Sequence, residues 1–456
     1  MANFELTREF ISKIRFHVAK NDEAGIRDLV KDLHPADIAD VFRELTLHDS
    51  KEVYLHLDDE MGAEVLSELP EEKRNMLLDI LPNDVLAKRL INNMDSDDAA
   101  DLIGELDEER RIEVLSLVED VNVAGDIVDL LNYSEDTAGG LMDKELIKVK
   151  VGWTIPLCIR SLRRQAADVD RVYYVYVIDN SGVLKGTLSL KSLILANNNV
   201  KVEDIYNSDI ISVPVSMPAE ETANIMDKYG LIALPVVDDI GRLVGKITID
   251  DVLTVIRTEA EEDYQLASGL TEVVESSDGV FLHTRARIPW LLIGLLGGIL
   301  GSRVVGGFMG VIALHPELAF FMGLIAAMGG NVGIQSSAIV VQSLASGTMG
   351  LENDWRKLLK ELLVALLNAS ILSLLIFGYN YVIGAELALT FTVSAAMFSV
   401  VIFASMFGSI IPLLLKRINI DPAVATGPFV TTMNDILGMF IYLTLGTLFF
   451  TYFVAH

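Results

Sequence analysis

The sequence has few of the residues that build disulfide frameworks or catalytic metal sites. Its 456 residues include a single cysteine, Cys158, so no disulfide can form within the chain. The seven histidines are scattered and lack the spacing of metal ligands. No glycine-rich phosphate loop and no other catalytic constellation is present. We therefore predict that the protein is not an enzyme.

Positive charge is also scarce, and it is unevenly distributed. The formal net charge is −28 at pH 7. Residues 1–287 hold 30 of the 36 Lys and Arg and 57 of the 64 Asp and Glu, whereas almost all continuous hydrophobicity follows residue 287. A field of this sign repels nucleic acid and concentrates cations. We therefore predict an acidic soluble half followed by a membrane half, and no nucleic-acid partner.

Five apolar runs follow residue 287, and each exceeds the ~20 residues with which a helix crosses a bilayer. They are Ile288–Leu314, Leu318–Ser346, Leu358–Ile383, Leu387–Leu415 and Val424–Val454. Buried helices of a soluble core would be shorter and fewer. The sequence therefore predicts five transmembrane helices in a lipid bilayer.

The basic residues near these runs indicate an orientation. Lys and Arg lie before the first run, between the second and third, and between the fourth and fifth, whereas the loops around Pro316 and Ala385 have none. Cytoplasmic connections are enriched in Lys and Arg. The first residues also lack the apolar stretch of a signal peptide. We expect a multi-pass protein of the cell membrane, with residues 1–287 in the cytoplasm and the C-terminus outside.

One carboxylate, Asp435, falls in the middle of the fifth run, next to Asn434 and near Thr431. A lone charge at this depth is costly unless it faces water, a cation or a polar partner. The neighbouring Asn and Thr oxygens favour a cation site on a pore. The alternative is a hydrogen bond to an adjacent helix. Arg303, in the first run, has no predicted role.

Glycine and proline occur where the second and fifth runs should be regular. Gly329–Ser337 contains three glycines and four polar side chains, and the fifth run begins near Asp421-Pro422 and contains Gly427-Pro428. Irregular backbone at membrane depth is tolerated where it lines a cavity. Small residues alternatively allow close helix packing. We expect two broken, polar helices that face each other along a hydrophilic path.

The soluble half contains a repeat at a spacing of 59 residues, in which Val175–Ser189 returns as Leu234–Thr248. Each copy has a β-branched run, a glycine turn and a second apolar run that enters a helix. Helical patterns at Ile155–Leu162 and Ala223–Tyr229 precede the copies. The two units resemble a pair of CBS domains.

This resemblance implies an adenine nucleotide site at a Thr/Ser-x-x-Asp sequence after the last strand. The second copy has Thr248 and Asp251, whereas the first has Ser189 and Ser192 and lacks the acid. The implied modulator is ATP, bound at Thr248 and Asp251. The alternative is a pair with a purely structural regulatory role.

A second repeat occupies the first 130 residues. Leu33, Leu45, Leu57, Leu69 and Leu81 recur every 12 residues, and Leu106 and Val118 continue the series after a one-residue slip. The copies open with residues typical of helix N-termini. Short repeated helices bury their apolar faces against their neighbours in a solenoid.

Three motifs together resemble the MgtE magnesium channels. They are Gly-Gly-Asn-x-Gly-x-Gln at 329–335, Asp-Pro-Ala at 421–423 and Pro-x-x-Thr-x-x-x-Asp at 428–435. The order of the soluble modules is also similar. The implied organisation is an acidic helical-repeat domain at 1–133, CBS domains at 134–199 and 200–257, a connecting (plug) helix at 258–287 and a five-helix transmembrane domain at 288–456. The resemblance implies Mg²⁺ uptake through a homodimer. The implied pathway residues are Asp435, Asn434, Thr431, Asn331, Gln335 and Asp421.

The resemblance also implies that cytoplasmic Mg²⁺ closes the channel by bridging acidic surfaces. The connecting segment has four carboxylates within residues 259–263 and would report ion occupancy to the pore. The sensor residues carried over by position are Glu64, Asp97, Asp101, Glu220, Asp227, Asp251, Glu259, Glu262 and Asp263. The alternatives are a CBS-regulated transporter of another solute, or a Mg²⁺ sensor that does not transport.

Overall fold

The computed structural model describes residues 4–92, 94–118, 120–167, 169, 171–274, 279–345, 354–418, 420–425 and 427–455. The chain divides into two compact units, Met1–Arg257 and Thr258–His456. The first unit contains a helical domain and two small β-sheets, and the second consists of long apolar helices.

The helical domain is a series of short helices. They are α1 (Arg8–Ala19), α2 (Glu23–Val30), α3 (Pro35–Glu44), α4 (Leu47–Leu55), α5 (Asp59–Ser67), α6 (Glu71–Ile80), α7 (Asn83–Asn92), α8 (Ser96–Gly104), α9 (Glu108–Ser116) and α10 (Val121–Leu130). The repeat leucines after α3, α4, α5, α6 and α8 are buried: Leu45, Leu57, Leu69, Leu81 and Leu106. Each leucine fills the space where one helix ends and the next begins, which confirms the predicted solenoid.

Two arginines, one buried and one partly buried, stabilise the ends of these helices. The Arg89 guanidinium on α7 donates to the Leu57 carbonyl at 2.8 Å, just after α4. Arg110 on α9 donates to the carbonyls of Leu78 and Leu81, at 2.9 and 2.8 Å, at the end of α6. The last carbonyls of a helix have no partner within the helix. An arginine three helices further along therefore supplies the missing donors.

The two copies of the 59-residue repeat each form a three-stranded sheet. The first comprises β1 (Ile147–Lys150), α11 (Ile155–Gln165), β2 (Val175–Ile178), β3 (Leu184–Leu188) and α12 (Leu190–Leu195). The second comprises β4 (Val213–Pro214), α13 (Ala219–Tyr229), β5 (Ala233–Val237), β6 (Leu243–Thr248) and α14 (Ile249–Ala267). In both, the first strand pair is parallel and the second antiparallel. The predicted pair of CBS-like α/β units is confirmed.

The two sheets contact each other reciprocally through their turns. The Leu184 amide donates to the Gly241 carbonyl at 3.0 Å, and the Leu243 amide donates to the Gly182 carbonyl at 3.1 Å. Gly182 and Gly241 have φ of 85° and 79°, which favours glycine in both turns. Because each bond joins equivalent residues of the two copies, an approximate twofold axis relates them.

The second unit contains the membrane-type helices. They are α15 (Val280–Gly307), α17 (Leu318–Ala345), α18 (Asp354–Val382), α19 (Leu387–Arg417) and α20 (Pro428–Ala455), with the short α16 (Met309–Leu314) after α15. Within the described residues, five helices are long and apolar enough to cross a membrane. The predicted end of the second run, Ser346, lies outside the described residues.

The segment between the sheets and the first long helix differs from the prediction. Residues 258–287 do not form one helix, because α14 ends at Ala267 and α15 begins at Val280. The first apolar helix therefore starts eight residues before Ile288 and includes polar positions such as Thr284. The Thr284 hydroxyl is satisfied by the Val280 carbonyl of its own helix, at 2.8 Å.

The predicted break in the second run is wrong, and in the fifth run a short 3-10 helix, Pro422–Ala425, precedes the long helix. Helix α17 continues without interruption through Gly329–Ser337. Its glycines serve close packing, since a Cβ on Gly333 would lie 1.9 Å from Asn434 Nδ2 of α20. Pro428 is the first residue of α20 rather than a kink within it, a position where the missing N–H costs nothing.

Candidate ion pathway and acidic face

A polar position in the membrane unit is formed where α20 passes α17. Thr431 and Asp435 are four residues apart and lie on one face of α20. Both lie against Gly330, where an added Cβ would be 3.1 Å from Thr431 Cγ2 and 3.6 Å from Asp435 Oδ1. A side chain at position 330 would occupy the space beside the carboxylate, and glycine leaves it open.

Two further predicted pathway residues follow Gly330 on α17. Asn331 and Gln335 are four residues apart on one helix face, and both are exposed in the single chain. Amide side chains are poorly suited to lipid contact. This face therefore requires water or a second protein surface against it.

The other two pathway candidates have local contacts. Asn434 is buried and donates from Nδ2 to the Gly329 carbonyl at 3.3 Å, and its Oδ1 has no hydrogen-bond partner among the described residues. Asp421 is exposed and accepts from the Ala423 amide at 2.7 Å. These contacts give Asn434 a packing function between helices. Its place in an ion pathway stays a prediction, as does that of Asp421.

Glu361 on α18 is a second carboxylate within the five apolar runs, and no role was predicted for it from the sequence. It accepts from the hydroxyl of Ser336 on α17 at 2.7 Å and from that of Ser405 on α19 at 2.9 Å. The two hydroxyl oxygens are also 2.9 Å apart. Glu361 thus joins three helices through hydrogen bonds. The available signal was a carboxylate four residues inside the run that began at Leu358.

Carboxylates gather at one place in the first unit, where α8 approaches the start of α14. We call this set the acidic face; its members are Asp95, Asp97, Asp98, Asp101, Asp250 and Asp251. Most precede or open a helix, where the helix dipole favours negative charge. The aspartates of α8 and those of α14 are far apart in the sequence, and the fold brings them together.

Burial and mutual repulsion raise the pKa values of these groups. Partial burial, followed by the charge of Asp251, raises the pKa of Asp98 to about 6. Asp101 is exposed over part of its surface, yet the protein around the rest of it, together with Glu135, raises its pKa to about 7. Burial also raises the pKa of Asp251, and that of Asp97 lies well above its usual range. Ionised carboxylates are therefore disfavoured in the acidic face.

Asp97 is the most buried member of the acidic face. Its side chain is 9% exposed, and its Oδ1 atom has no hydrogen-bond partner among the described residues. No three carboxylate, imidazole or thiolate groups in the described part of the chain converge closely enough to hold a metal ion directly. A cation at this face would therefore contact the carboxylates largely through its own water, as Mg²⁺ commonly does.

The segment before β1 attaches α8 to the second sheet. Ser96 Oγ donates to Glu145 Oε2 at 3.0 Å and accepts from the Lys144 amide at 3.1 Å. Asp143 and Lys246 exchange two backbone hydrogen bonds of 2.8 and 2.9 Å, and their side chains form a buried ion pair. None of these contacts was anticipated from the sequence, because the partners are far apart in the chain.

Comparison with known proteins assigns both units to one family. The family model for divalent cation transporters matches residues 322–445, and that for the MgtE intracellular N domain matches residues 33–136. The chain is 39% identical over 332 residues to the magnesium transporter MgtE of Thermus thermophilus, which covers 72% of this chain and 73% of the relative. The chain belongs to the MgtE family. The magnesium transporter MgtE of Enterococcus faecalis is 34% identical over 73% of each chain.

Solved structures support the same assignment for the soluble half of this MgtE chain. The cytosolic domain of the Mg²⁺ channel MgtE in complex with ATP is 35% identical, with a TM-score of 0.50, and covers 54% of this chain and 99% of that domain. The CBS domain model matches residues 202–258, which contain the second sheet. The first sheet has the same strand pairing, so the structure identifies it as the other member of the pair.

The remaining sensor candidates of this MgtE chain lie outside the acidic face. Glu64 on α5 and Glu220 and Asp227 on α13 are exposed. Glu262 on α14 is exposed, whereas Glu259 and Asp263 on the same helix are half-buried. Of the predicted sensor residues, the structure brings Asp97, Asp101 and Asp251 into one set. A role in Mg²⁺ sensing stays a prediction for all nine.

Proposed function

We propose that the protein is a Mg²⁺ channel of the cell membrane that admits Mg²⁺ to the cytoplasm and closes when cytoplasmic Mg²⁺ rises. The observation that carries the proposal is the position of Asp435 beside Gly330 of α17, a helix that also exposes the amides of Asn331 and Gln335. The named relatives are magnesium transporters, which supports Mg²⁺ as the transported ion. No enzymatic activity is part of the proposal.

The pathway would form between two copies of the chain. Mg²⁺ loses its six waters reluctantly, so a site that contacts the hydrated ion suits it better than a dry cage. One Asp435 per chain supplies a single charge, and a twofold dimer supplies two on one axis. A second copy would also cover Asn331 and Gln335. The proposed orientation has residues 1–287 in the cytoplasm and the C-terminus outside.

The acidic face would act as the sensor of cytoplasmic Mg²⁺. Burial, together with the repulsion between its carboxylates, raises their pKa values and makes the ionised forms costly when no cation is present. A bound divalent ion would favour the state in which α8 and the start of α14 are close together. Helix α14 begins with Asp250 and Asp251 and also holds Glu259, Glu262 and Asp263. Such coupling requires an ion affinity that differs between the open and closed states.

ATP remains a candidate modulator, because the solved cytosolic domain of the relative is a complex with ATP. The Thr248 hydroxyl and amide both donate to Asp251 Oδ2, at 2.7 and 2.8 Å, so this carboxylate is partly engaged. The surrounding aspartates would repel a triphosphate unless Mg²⁺ accompanied it. We therefore expect nucleotide binding at Thr248 and Asp251 only together with Mg²⁺.

The test is a flux assay with the full chain reconstituted in liposomes, comparing wild type with Asp435→Ala. We expect Mg²⁺ uptake at low Mg²⁺ on the soluble-domain side, and uptake near background for the variant. High Mg²⁺ on that side should reduce wild-type uptake. The control is Glu386→Gln, which removes an exposed carboxylate from the start of α19 and should leave uptake unchanged.

The same assay distinguishes the alternatives. Intact Mg²⁺ uptake in Asp435→Ala would favour a CBS-regulated transporter with another solute and another pathway. Wild-type protein that binds Mg²⁺ but passes none would favour a sensor without transport. Uptake that persists at high Mg²⁺ would contradict the proposed closure while leaving the channel itself in place.

A further inference from the structure

The buried ion pair between Asp143 and Lys246 has a neutral counterpart in the first repeat. Lys246 of β6 corresponds to Thr187 of β3, 59 residues earlier. Thr187 exchanges two backbone hydrogen bonds, of 2.9 and 2.8 Å, with Asn207 in the segment before β4. Asp143 and Lys246 exchange the same two bonds in the second repeat. The backbone arrangement therefore forms without charges, and the fold does not require the ion pair.

The Lys246 ammonium is placed among the carboxylates of the acidic face. The residue is 6% exposed, and Asp95, Asp97, Asp250 and Asp251 all act on its charge. It borders a cavity of about 140 Å³ that Asp95 and Asp250 also line. A space of this size holds several waters. The charge of Lys246 thus reaches the acidic face across a small, partly hydrated space.

The other cation at this cavity, Arg171, is in a different environment. Its side chain is 68% exposed and lies 4.0 Å from Asp250, so solvent screens much of its charge. Lys246 is buried, and solvent screens it less. Its partner Asp143 is 3% exposed, which makes the pair a fixed set of opposite charges inside the protein.

We infer that the Asp143–Lys246 pair sets the Mg²⁺ affinity of the acidic face, with the lysine ammonium acting as a tethered counter-ion and Asp143 offsetting part of its charge. This inference rests on the proposed function of the acidic face as a Mg²⁺ sensor. Without the ammonium, the carboxylates would attract a divalent ion more strongly. Without Asp143, the ammonium would repel it more strongly.

If charge is responsible, the two single substitutions shift the Mg²⁺ affinity in opposite directions. If lost packing is responsible, both weaken it. Lys246→Thr should lower the Mg²⁺ concentration needed for half-saturation by about three- to tenfold, the scale of one charge acting on a divalent ion in a partly hydrated site. Asp143→Asn should raise it by a similar factor, while Asn can still accept from the Glu145 amide, as Asp143 Oδ1 does at 2.6 Å. Asp143→Asn/Lys246→Thr copies the neutral pair of the first repeat and should return the value close to wild type.

The measurement is Mg²⁺-dependent protection of the full-length protein from trypsin, with flux inhibition by Mg²⁺ as the second readout. The control is Lys185→Thr, which removes an exposed lysine 3.1 Å from Asp179 in the first repeat and should cause no shift. Both single-variant shifts should shrink as monovalent salt is raised, because salt screens charge and does not repair packing.

The outcomes separate this inference from the proposed function. Shifts of opposite sign in the half-saturating Mg²⁺ concentration, which cancel in the double variant, support the role of the Asp143–Lys246 pair. Shifts of the same sign, or none, overturn it even if wild type responds to Mg²⁺, because lost packing would weaken binding in both variants. Should Lys246→Thr fail to fold, Asp143→Asn and the double variant still decide the sign. A wild type without Mg²⁺ response overturns the proposed sensor, and this inference with it.

Discussion

The two units of the chain hold their carboxylates in different ways. In the first unit, Asp97, Asp98 and Asp251 are crowded together, and burial and repulsion raise their pKa values. In the membrane unit, Asp435 stands beside a glycine, and Glu361 is bound by two hydroxyls. Crowded carboxylates are destabilised until a cation arrives and can therefore respond to ion concentration. Separate carboxylates suit a path or a structural contact.

The carboxylates of the membrane unit are held in place by closely packed helices. Among the substitutions considered, Gly408→Ala is expected to reduce stability and uptake the most. The new Cβ would lie 2.3 Å from the Gly333 carbonyl oxygen, and backbone atoms cannot move aside cheaply. Overpacking of this kind costs about 1–3 kcal/mol or more. We expect a clear drop in melting temperature in detergent and loss of uptake. Gly378→Ala, where no neighbour lies within 4 Å, is the control and should melt like wild type.

In the first unit, Asp251→Asn lowers the density of negative charge in the acidic face. This substitution keeps an acceptor for Thr248 and removes one charge from the acidic face. We expect about tenfold weaker Mg²⁺ protection from trypsin, since one carboxylate fewer attracts the ion. Asp239→Asn, an exposed change in the turn of the same repeat, should leave protection unchanged. Equal effects of the two variants would argue against a localised sensor.

The two membrane carboxylates should respond oppositely to substitution. Glu361→Leu removes an acceptor shared by Ser336 and Ser405 and should cost about 1 kcal/mol of stability, a typical value for hydrogen bonds between membrane helices. Uptake per folded protein should persist, and Glu361→Gln should be milder. Asp435→Asn should show the reverse pattern, with melting unchanged and uptake lost. Melting curves and flux on the same samples decide this, and loss of flux in Glu361→Gln would place Glu361 in the pathway.

The smallest expected effect is a release of protons when Mg²⁺ binds the acidic face. Asp98 and Asp101, with pKa values of about 6 and 7, are partly protonated at pH 6.5 and ionised at pH 8. Bound Mg²⁺ favours the ionised forms, so up to about one proton per chain should leave at pH 6.5 and almost none at pH 8. Calorimetry in buffers of different ionisation enthalpy measures this number. Equal release at both pH values would contradict the assigned environment.

The same groups determine how stability without Mg²⁺ depends on pH. Their folded pKa values lie above the unfolded value of 3.8, so the folded state binds more protons between about pH 4 and pH 7. Their contribution to stability is therefore fully present below about pH 4 and is lost progressively as pH rises from there through the folded pKa values of about 6 and 7. This is the opposite of the behaviour of a carboxylate in an ion pair.

Local patterns were sufficient to predict the architecture. The 12-residue leucine series predicted the helical repeats because each leucine must be buried where two helices meet. The 59-residue spacing predicted two sheets because strands and glycine turns have short-range signals. Hydropathy predicted the long helices, although the start of α15 at Val280 was missed because polar and basic residues at 283–287 separate its first turn from the apolar run.

Contacts between distant residues were not predictable in this way. Gly329, Gly330 and Gly333 suggested a broken helix, but whether a glycine breaks a helix or admits a neighbour depends on what packs against it. The high mean hydropathy of the third run concealed Glu361, and the two serines that donate to it are on other helices. The ion pair of Lys246 joins residues 103 positions apart. The sequence supplied the chemical groups of the candidate site, and the tertiary fold determined their partners.

The reciprocal turn contacts of the two sheets bear on how the chain originated. Leu184 bonds to Gly241, and Leu243 bonds to Gly182, so each copy satisfies a backbone donor of the other. A shorter ancestor with one copy would have left these donors open to solvent unless two such molecules associated. Gene duplication and fusion would convert that association into a covalent one. Once joined, the halves could diverge, and the Asp143–Lys246 pair has Asn207 and Thr187 as its neutral equivalent in the other half.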